Sequence, residues 1–162
     1  HEEGTAVEIW DDFNGKIDMI VTGVGTGGTI TGIAKYLKQK NPNIKIVGAD
    51  PYGSILGGGD DIHPYKVEGI GYDFFPDVLD NSLVDKYIKV NDENSFDMAR
   101  QLIKKEGLLC GGSSGTVVWA ALQTAQKLKQ GQNCLCILAD GIRNYMSKFV
   151  ADEWMEKNNF KK

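Results

Sequence analysis

The stretch "VTGVGTGGTITG", Val21 to Gly32, decides how the rest of the chain is read. Five of its twelve residues are glycine and four are threonine. The apolar run Ile17-Asp18-Met19-Ile20-Val21 leads into it, and Ile30, Ile33, Ala34 and Leu37 follow at helical spacing. The pattern predicts a buried strand over 16–24 and a helix over 29–39. Asn41-Pro42-Asn43 breaks the helix, and 44–49 reads as a second strand. Strand, glycine loop, helix and strand in ~35 residues make a βαβ unit, whose crossover forces the strands parallel.

Upstream, 2–13 reads as the later part of an amphipathic helix, with Val7 and Trp10 on one face. The first residue is His1 rather than an initiating methionine, so the chain is expected to begin inside a larger protein. Downstream, 50–75 is rich in Gly, Asp, Pro and aromatics with no clean period. Long loops inside compact domains are usually functional. A strand is expected at 85–90. Asn91 or Asp92 then caps a helix over 93–106, and Gly107 ends it. Leu108-Leu109-Cys110 is a short apolar run. A second glycine segment, Gly111-Gly112-Ser113-Ser114-Gly115, opens a helix over 116–129. A buried strand follows at 133–139, a turn at 140–143, and a mostly helical stretch at 144–158. This alternation argues for an α/β domain with a parallel sheet.

Bulk properties narrow the function. The 162 residues suit one domain, and 41% hydrophobic with 25% charged is ordinary globular composition. The net charge is -4 and no Lys/Arg run exceeds two residues, which argues against nucleic acid or an anionic membrane surface as partner. No apolar run reaches the ~18 residues of a membrane span. No signal-peptide pattern opens the chain, and a cytoplasmic location is expected. The cysteines are Cys110, Cys134 and Cys136. Their odd number argues against a disulfide framework. With only His1 and His63 as further soft ligands, they read as buried core cysteines and no metal is expected.

Each glycine segment follows a strand or apolar run and precedes a helix, where α/β sheets bind ligands. First-turn N–H groups and the helix dipole there favour an anion. Thr26 and Thr29 add hydroxyl donors. Three readings compete. Gly23, Gly25 and Gly28 match G-x-G-x-x-G, with Asp50 placed to take a ribose, which would mean a nicotinamide dinucleotide. "GTGGT", Gly25 to Thr29, could instead cradle a single phosphate. The third reading is tight packing of helix on strand, with no ligand at all. No G-x-x-x-x-G-K-[ST] is present to hold a nucleoside triphosphate.

Several stretches in order carry a resemblance. "GTGGT" is similar to the phosphate loop of the fold type II pyridoxal-phosphate enzymes, the family of cysteine synthases, serine dehydratases and cystathionine β-synthases. "GLLCGGSSG" (Gly107 to Gly115) resembles its second cofactor segment. "DPYGSIL" (50–56), "VEGIGYDF" (67–74) and "DGIRNYMSKF" (140–149) look most like the cystathionine β-synthase branch. Cysteine synthases usually carry a smaller residue where Tyr72 stands.

The resemblance implies a three-layer α/β sandwich with a mostly parallel twisted sheet, like the tryptophan synthase β chain. It implies that 1–162 is the C-terminal large part of a catalytic domain and that pyridoxal 5'-phosphate is the cofactor. Gly25, Thr26, Gly27, Gly28 and Thr29 would hold the cofactor phosphate. Ser113 would meet the pyridine nitrogen; by position alone it is a helix cap. Asp140 is a weaker candidate for that nitrogen. Gly69, Gly71 and Tyr72 would line the substrate side. The Schiff-base lysine is expected upstream of this chain, so no catalytic residue is assigned within it and the isolated segment is expected to be inactive. The implied activity condenses L-serine with L-homocysteine to cystathionine and water, in a complete protein expected to be a homodimer or higher homo-oligomer. The alternatives are a cysteine synthase using sulfide, and a dinucleotide-binding oxidoreductase domain.

Overall fold

The computed structural model describes residues 1–160. Four strands form one sheet in the order β3-β2-β1-β4, all neighbours parallel. They are β1 (Met19–Gly23), β2 (Lys45–Pro51), β3 (Lys86–Val90) and β4 (Cys134–Cys136). β1 lies inside, with Ile20 opposite Ile46 of β2 and Leu135 of β4. Strands buried on both faces read as continuous apolar runs, which is why Met19-Ile20-Val21 shows no alternation.

Two helical layers cover the sheet. On one face Ile20, Val24 and Ile46 pack with Ile30, Ile33 and Leu37 of α2 (Gly28–Lys40) and with Ala6 and Ile9 of α1 (Thr5–Asp12). On the other, Met19, Val21, Val47 and Ala49 pack with Val117, Ala120 and Ala121 of α4 (Gly112–Ala125). Each fully buried Ile, Leu or Val contributes about 1.5–3 kcal/mol through removal from water. α3 (Asp92–Gln101) packs along α4. Asn91 caps it, its side chain accepting from Asn94 N at 2.8 Å. Among the described residues, no helix is long and apolar enough to cross a membrane.

Several local expectations are corrected. α1 buries Ala6 and Ile9, while Val7 is only partly covered, so the apolar face is rotated from the expected one. α3 stops at Gln101; Leu102–Glu106 is a π-type turn closed by Gly107 at φ +70°. The helix expected over 116–129 begins at Gly112 and ends at Ala125, with Gly111 at its N-cap. Ser113 is therefore inside the first turn and is not the cap. β4 spans three residues and lies at a sheet edge, so Cys134 and Cys136 are half-buried and only Cys110 is buried. Leu108–Cys110 makes no strand, only an antiparallel bridge from Cys110 to Gly141.

The C-terminal stretch is not one helix. It is a 3-10 turn (Ile142–Tyr145), further turns, and α5 (Asp152–Lys157). Its side chains explain the breaks. Phe149, Trp154 and Phe160 all reach the ring of Phe96 on α3, with centroids 5.3–5.5 Å away. A straight helix points successive residues in fixed directions and could not converge three aromatics on one ring.

Candidate active site

β1 ends at Gly23 and its chain must turn at once into α2. Gly27 makes the turn at φ +88°, and its missing Cβ lies 2.5–2.6 Å from Leu79. No side chain caps α2, so its first-turn N–H groups are left for a ligand. A cavity of about 460 Å³ opens there, at the carboxyl ends of the strands. Its wall carries Gly25, Thr26, Gly27 and Thr29 from the first glycine segment, Ser113 from the first turn of α4, and Gly69 and Tyr72 from the long loop.

Two expected residues stand outside this wall. Gly28 faces a neighbouring depression beside Lys35 and Val78. Gly71 lies behind the cavity, its missing Cβ 2.5 Å from the Tyr65 hydroxyl and 2.6 Å from Pro51. Asp140, the weaker ring-nitrogen candidate, is on the wall, and His1, Glu68 and the segment Ile137–Ala139 line the cavity without having been singled out. Glu68 pairs with Lys148 at 2.5 Å. Its place within "VEGIGYDF" was the available signal. His1 had none, since its partners come from α1 and α2.

Tyr72 is fixed through its backbone. The Ser54 hydroxyl accepts from Tyr72 N at 3.0 Å and donates to Tyr72 O at 3.1 Å. Ile55 N donates to the same carbonyl at 2.9 Å. The Tyr72 ring rests against Phe74, with centroids 4.8 Å apart. Across the cavity, Asp140 accepts from the Tyr145 hydroxyl at 2.6 Å. Burial, then this hydrogen bond to a carboxylate, raises the Tyr145 phenol above its ordinary range, so it stays a donor. One Asp140 oxygen is thus committed to Tyr145, whereas the Ser113 hydroxyl has no hydrogen bond of that kind to hold it.

The second glycine segment has a different physics from the first. The missing Cβ of Gly115 lies 1.9 Å from Ser95 O and 2.6 Å from Ala99 N. That of Gly111 lies 2.1 Å from Asp140 Oδ1. These glycines let α4 meet α3 and the 140 turn. The packing reading therefore describes this segment, and Ser113 is its one residue on the cavity wall.

Asp50 decides against the dinucleotide reading. It is completely buried, and its Oδ2 accepts from Lys89 Nζ at 2.7 Å and from Gly57 N at 2.9 Å. It is absent from the cavity wall, so it offers nothing to a ribose. No group of three or more His, Cys, Asp or Glu among the described residues could hold a metal ion.

An uncapped helix end with threonine hydroxyls, and a neutral hydroxyl across a cavity of this size, fit a small phosphorylated ring and not a pyrophosphate. The comparisons agree. The sequence matches the family "Pyridoxal-phosphate dependent enzyme" over residues 2–140. It is 55% identical over 164 residues to the cystathionine beta-synthase of Dictyostelium discoideum, covering 99% of this chain and 33% of that protein. The fold matches the O-acetylserine dependent cystathionine beta-synthase of Helicobacter pylori at TM-score 0.83 and 42% identity, over 88% of this chain and 46% of that one. It matches a hydrogen sulfide-producing enzyme of Fusobacterium nucleatum at TM-score 0.85 and 38% identity, over 90% and 50%. The chain belongs to the pyridoxal-phosphate dependent enzymes of fold type II, in the cystathionine β-synthase and cysteine synthase group, and its cofactor is pyridoxal 5'-phosphate. It spans about a third of the length of the first curated relatives it matches.

Proposed function

We propose that this chain supplies the phosphate side and the ring-nitrogen side of the active site in a complete enzyme of β-replacement, condensing L-serine with L-homocysteine to cystathionine and water. The observation that carries the reading is the joining of Thr26, Thr29 and the α2 N-terminus with Ser113 around one cavity.

Gly25, Thr26, Gly27, Gly28 and Thr29 bind the phosphate, through backbone N–H groups and two hydroxyls. Gly28 contributes its backbone alone, which agrees with its place beside the wall. Pyridoxal phosphate, when bound, supplies an electron sink for negative charge at the substrate α-carbon. The Ser113 hydroxyl orients the ring nitrogen without holding a proton on it, as a carboxylate would. A weaker sink favours loss of a β-substituent over transamination. Gly69 and Tyr72 shape the side where the second substrate enters, and Gly71 lets the loop turn behind them. Among the described residues no lysine lines this cavity, so the amine that anchors the cofactor is supplied by another part of the complete protein. A sulfide donor in place of homocysteine is the second reading, since it draws on the same electron sink.

The test uses the complete protein carrying Ser113→Asp or Ser113→Ala. Asp should shift the visible cofactor band and lower β-replacement at an unchanged melting temperature, and Ala should weaken cofactor retention. An unaltered band and unaltered turnover in Ser113→Asp would remove Ser113 from the site. Turnover with homocysteine against sulfide, at matched concentrations, separates the two substrates.

A further inference from the structure

The imidazole of His1 lies on the cavity wall between two threonine hydroxyls. Its Nδ1 is 2.9 Å from Thr5 Oγ1 and its Nε2 is 3.2 Å from Thr29 Oγ1. Thr29 belongs to "GTGGT" and shares the wall with His1. The backbone enforces this placement. Gly32, on α2, has its missing Cβ 2.9 Å from Glu2 N and 3.0 Å from His1 Cβ. A side chain there would push His1 off α2. Ala6 N donates to His1 O at 2.9 Å, tying the same residue to α1.

We propose that His1 is a positioning residue for the cofactor phosphate, acting through the Thr29 hydroxyl; this rests on the phosphate reading of the loop given above. The direction of the hydrogen bonds carries the argument. A dianionic phosphate only accepts, so Thr29 must donate to it. The Thr29 oxygen is then free to accept from Nε2–H. A neutral imidazole has one donor nitrogen and one acceptor, so Nδ1 accepts from the Thr5 hydroxyl. The chain Thr5 O–H to Nδ1, Nε2–H to Thr29 Oγ1, and Thr29 O–H to phosphate runs one way throughout. The other tautomer would draw the Thr29 proton toward Nε2 and turn a lone pair to the anion. Aligned hydrogen bonds polarise one another, and a hydroxyl oriented beforehand loses less freedom when the ligand binds.

The experiment measures the pyridoxal-phosphate dissociation constant of the complete protein, by equilibrium dialysis and by the visible band. His1→Leu should weaken binding about five-fold, the worth of one neutral hydrogen bond. His1→Gln keeps an N–H at similar reach and should recover most of the loss. Thr5→Val keeps the imidazole but removes the donor to Nδ1 and should weaken binding by a smaller factor. In a Thr29→Ala background, His1→Leu should add little, because the effect passes through Thr29. Unchanged affinity in both His1→Leu and Thr5→Val, or full additivity of His1→Leu with Thr29→Ala, would overturn the proposal while leaving the phosphate site intact. If His1→Leu does not fold, Thr5→Val and His1→Gln still decide: a Gln variant as weak as Thr29→Ala counts against it. A wild-type protein that holds no pyridoxal phosphate would overturn both this inference and the site reading beneath it.

Discussion

Lys89 Nζ lies 2.7 Å from Asp50 Oδ2, joining the ends of two neighbouring parallel strands around a carboxylate that no solvent reaches. The same ammonium also donates to the carbonyls of Pro51 and Ser54. It thereby holds the turn whose Ser54 hydroxyl carries Tyr72. Burial together with the charge of Asp50 pushes the neighbouring Tyr87 phenol up to about 12. The ion pair is therefore a fastening between the sheet and the loop that carries Tyr72.

Breaking it from one side leaves a buried charge alone. Lys89→Met should destabilise the protein by about 3–5 kcal/mol, measured by urea unfolding. The double variant Lys89→Met/Asp50→Leu should regain most of that loss. A single variant costing under ~1 kcal/mol would show that the pair does not fasten this loop.

Ser54→Ala removes both side-chain hydrogen bonds to the Tyr72 backbone. Each is worth about 0.5–1.5 kcal/mol, so the fold should survive. The loop position should not, and kcat/KM for β-replacement should fall about ten-fold through KM while the cofactor band persists. An equal fall in a variant of an exposed loop residue such as Asp61 would make the Ser54 effect unspecific.

Gly27→Ala meets two obstacles. The residue sits at φ +88° and a Cβ would lie 2.5–2.6 Å from Leu79. The expected cost is about 1–3 kcal/mol of strain, with loss of cofactor retention. The combined variant Gly27→Ala/Leu79→Ala should recover little stability, because the two closest contacts are the Leu79 Cβ and Cα, which alanine keeps.

Asp85 links α2 to β2. Its Oδ2 accepts from Lys38 Nζ at 2.8 Å and from Ile46 N at 2.8 Å. Burial would raise this carboxyl, but the hydrogen bonds from Lys38 and Ile46 and the charges of Lys38 and Lys45 hold it below its ordinary value. The folded value is thus lower than the unfolded one. The stabilisation is fully present above the unfolded value of about 3.9 and is lost as pH falls through the lower folded value. Asp85→Asn should cost about 1–2 kcal/mol at pH 7, and the gap to wild type should narrow as pH falls below ~4. A gap that stays constant from pH 7 to pH 3 would mean the carboxylate charge contributes nothing.

The amino-acid sequence alone determined the βαβ unit, because Met19–Val21 and the Ile30–Leu37 face announce strand and helix by local periods. It also placed the glycine turn between β1 and α2, whose helix N-terminus carries no side-chain cap. The breaks within the C-terminal stretch were not legible because convergence on Phe96 is a property of tertiary packing, invisible to any window along the chain. Asp50 looked like a ribose acid by spacing; its partner Lys89 comes from a strand 39 residues away. The glycines of "GGSSG" looked like a second cradle, yet the Ser95 carbonyl that forbids a side chain at Gly115 lies on another helix. His1 entered the cavity wall only because Gly32 lets its backbone settle on α2. Local periodicity is written in neighbours. Which buried charge is paired, which glycine is for packing and which side chain reaches the site are set by contacts between residues far apart in the chain.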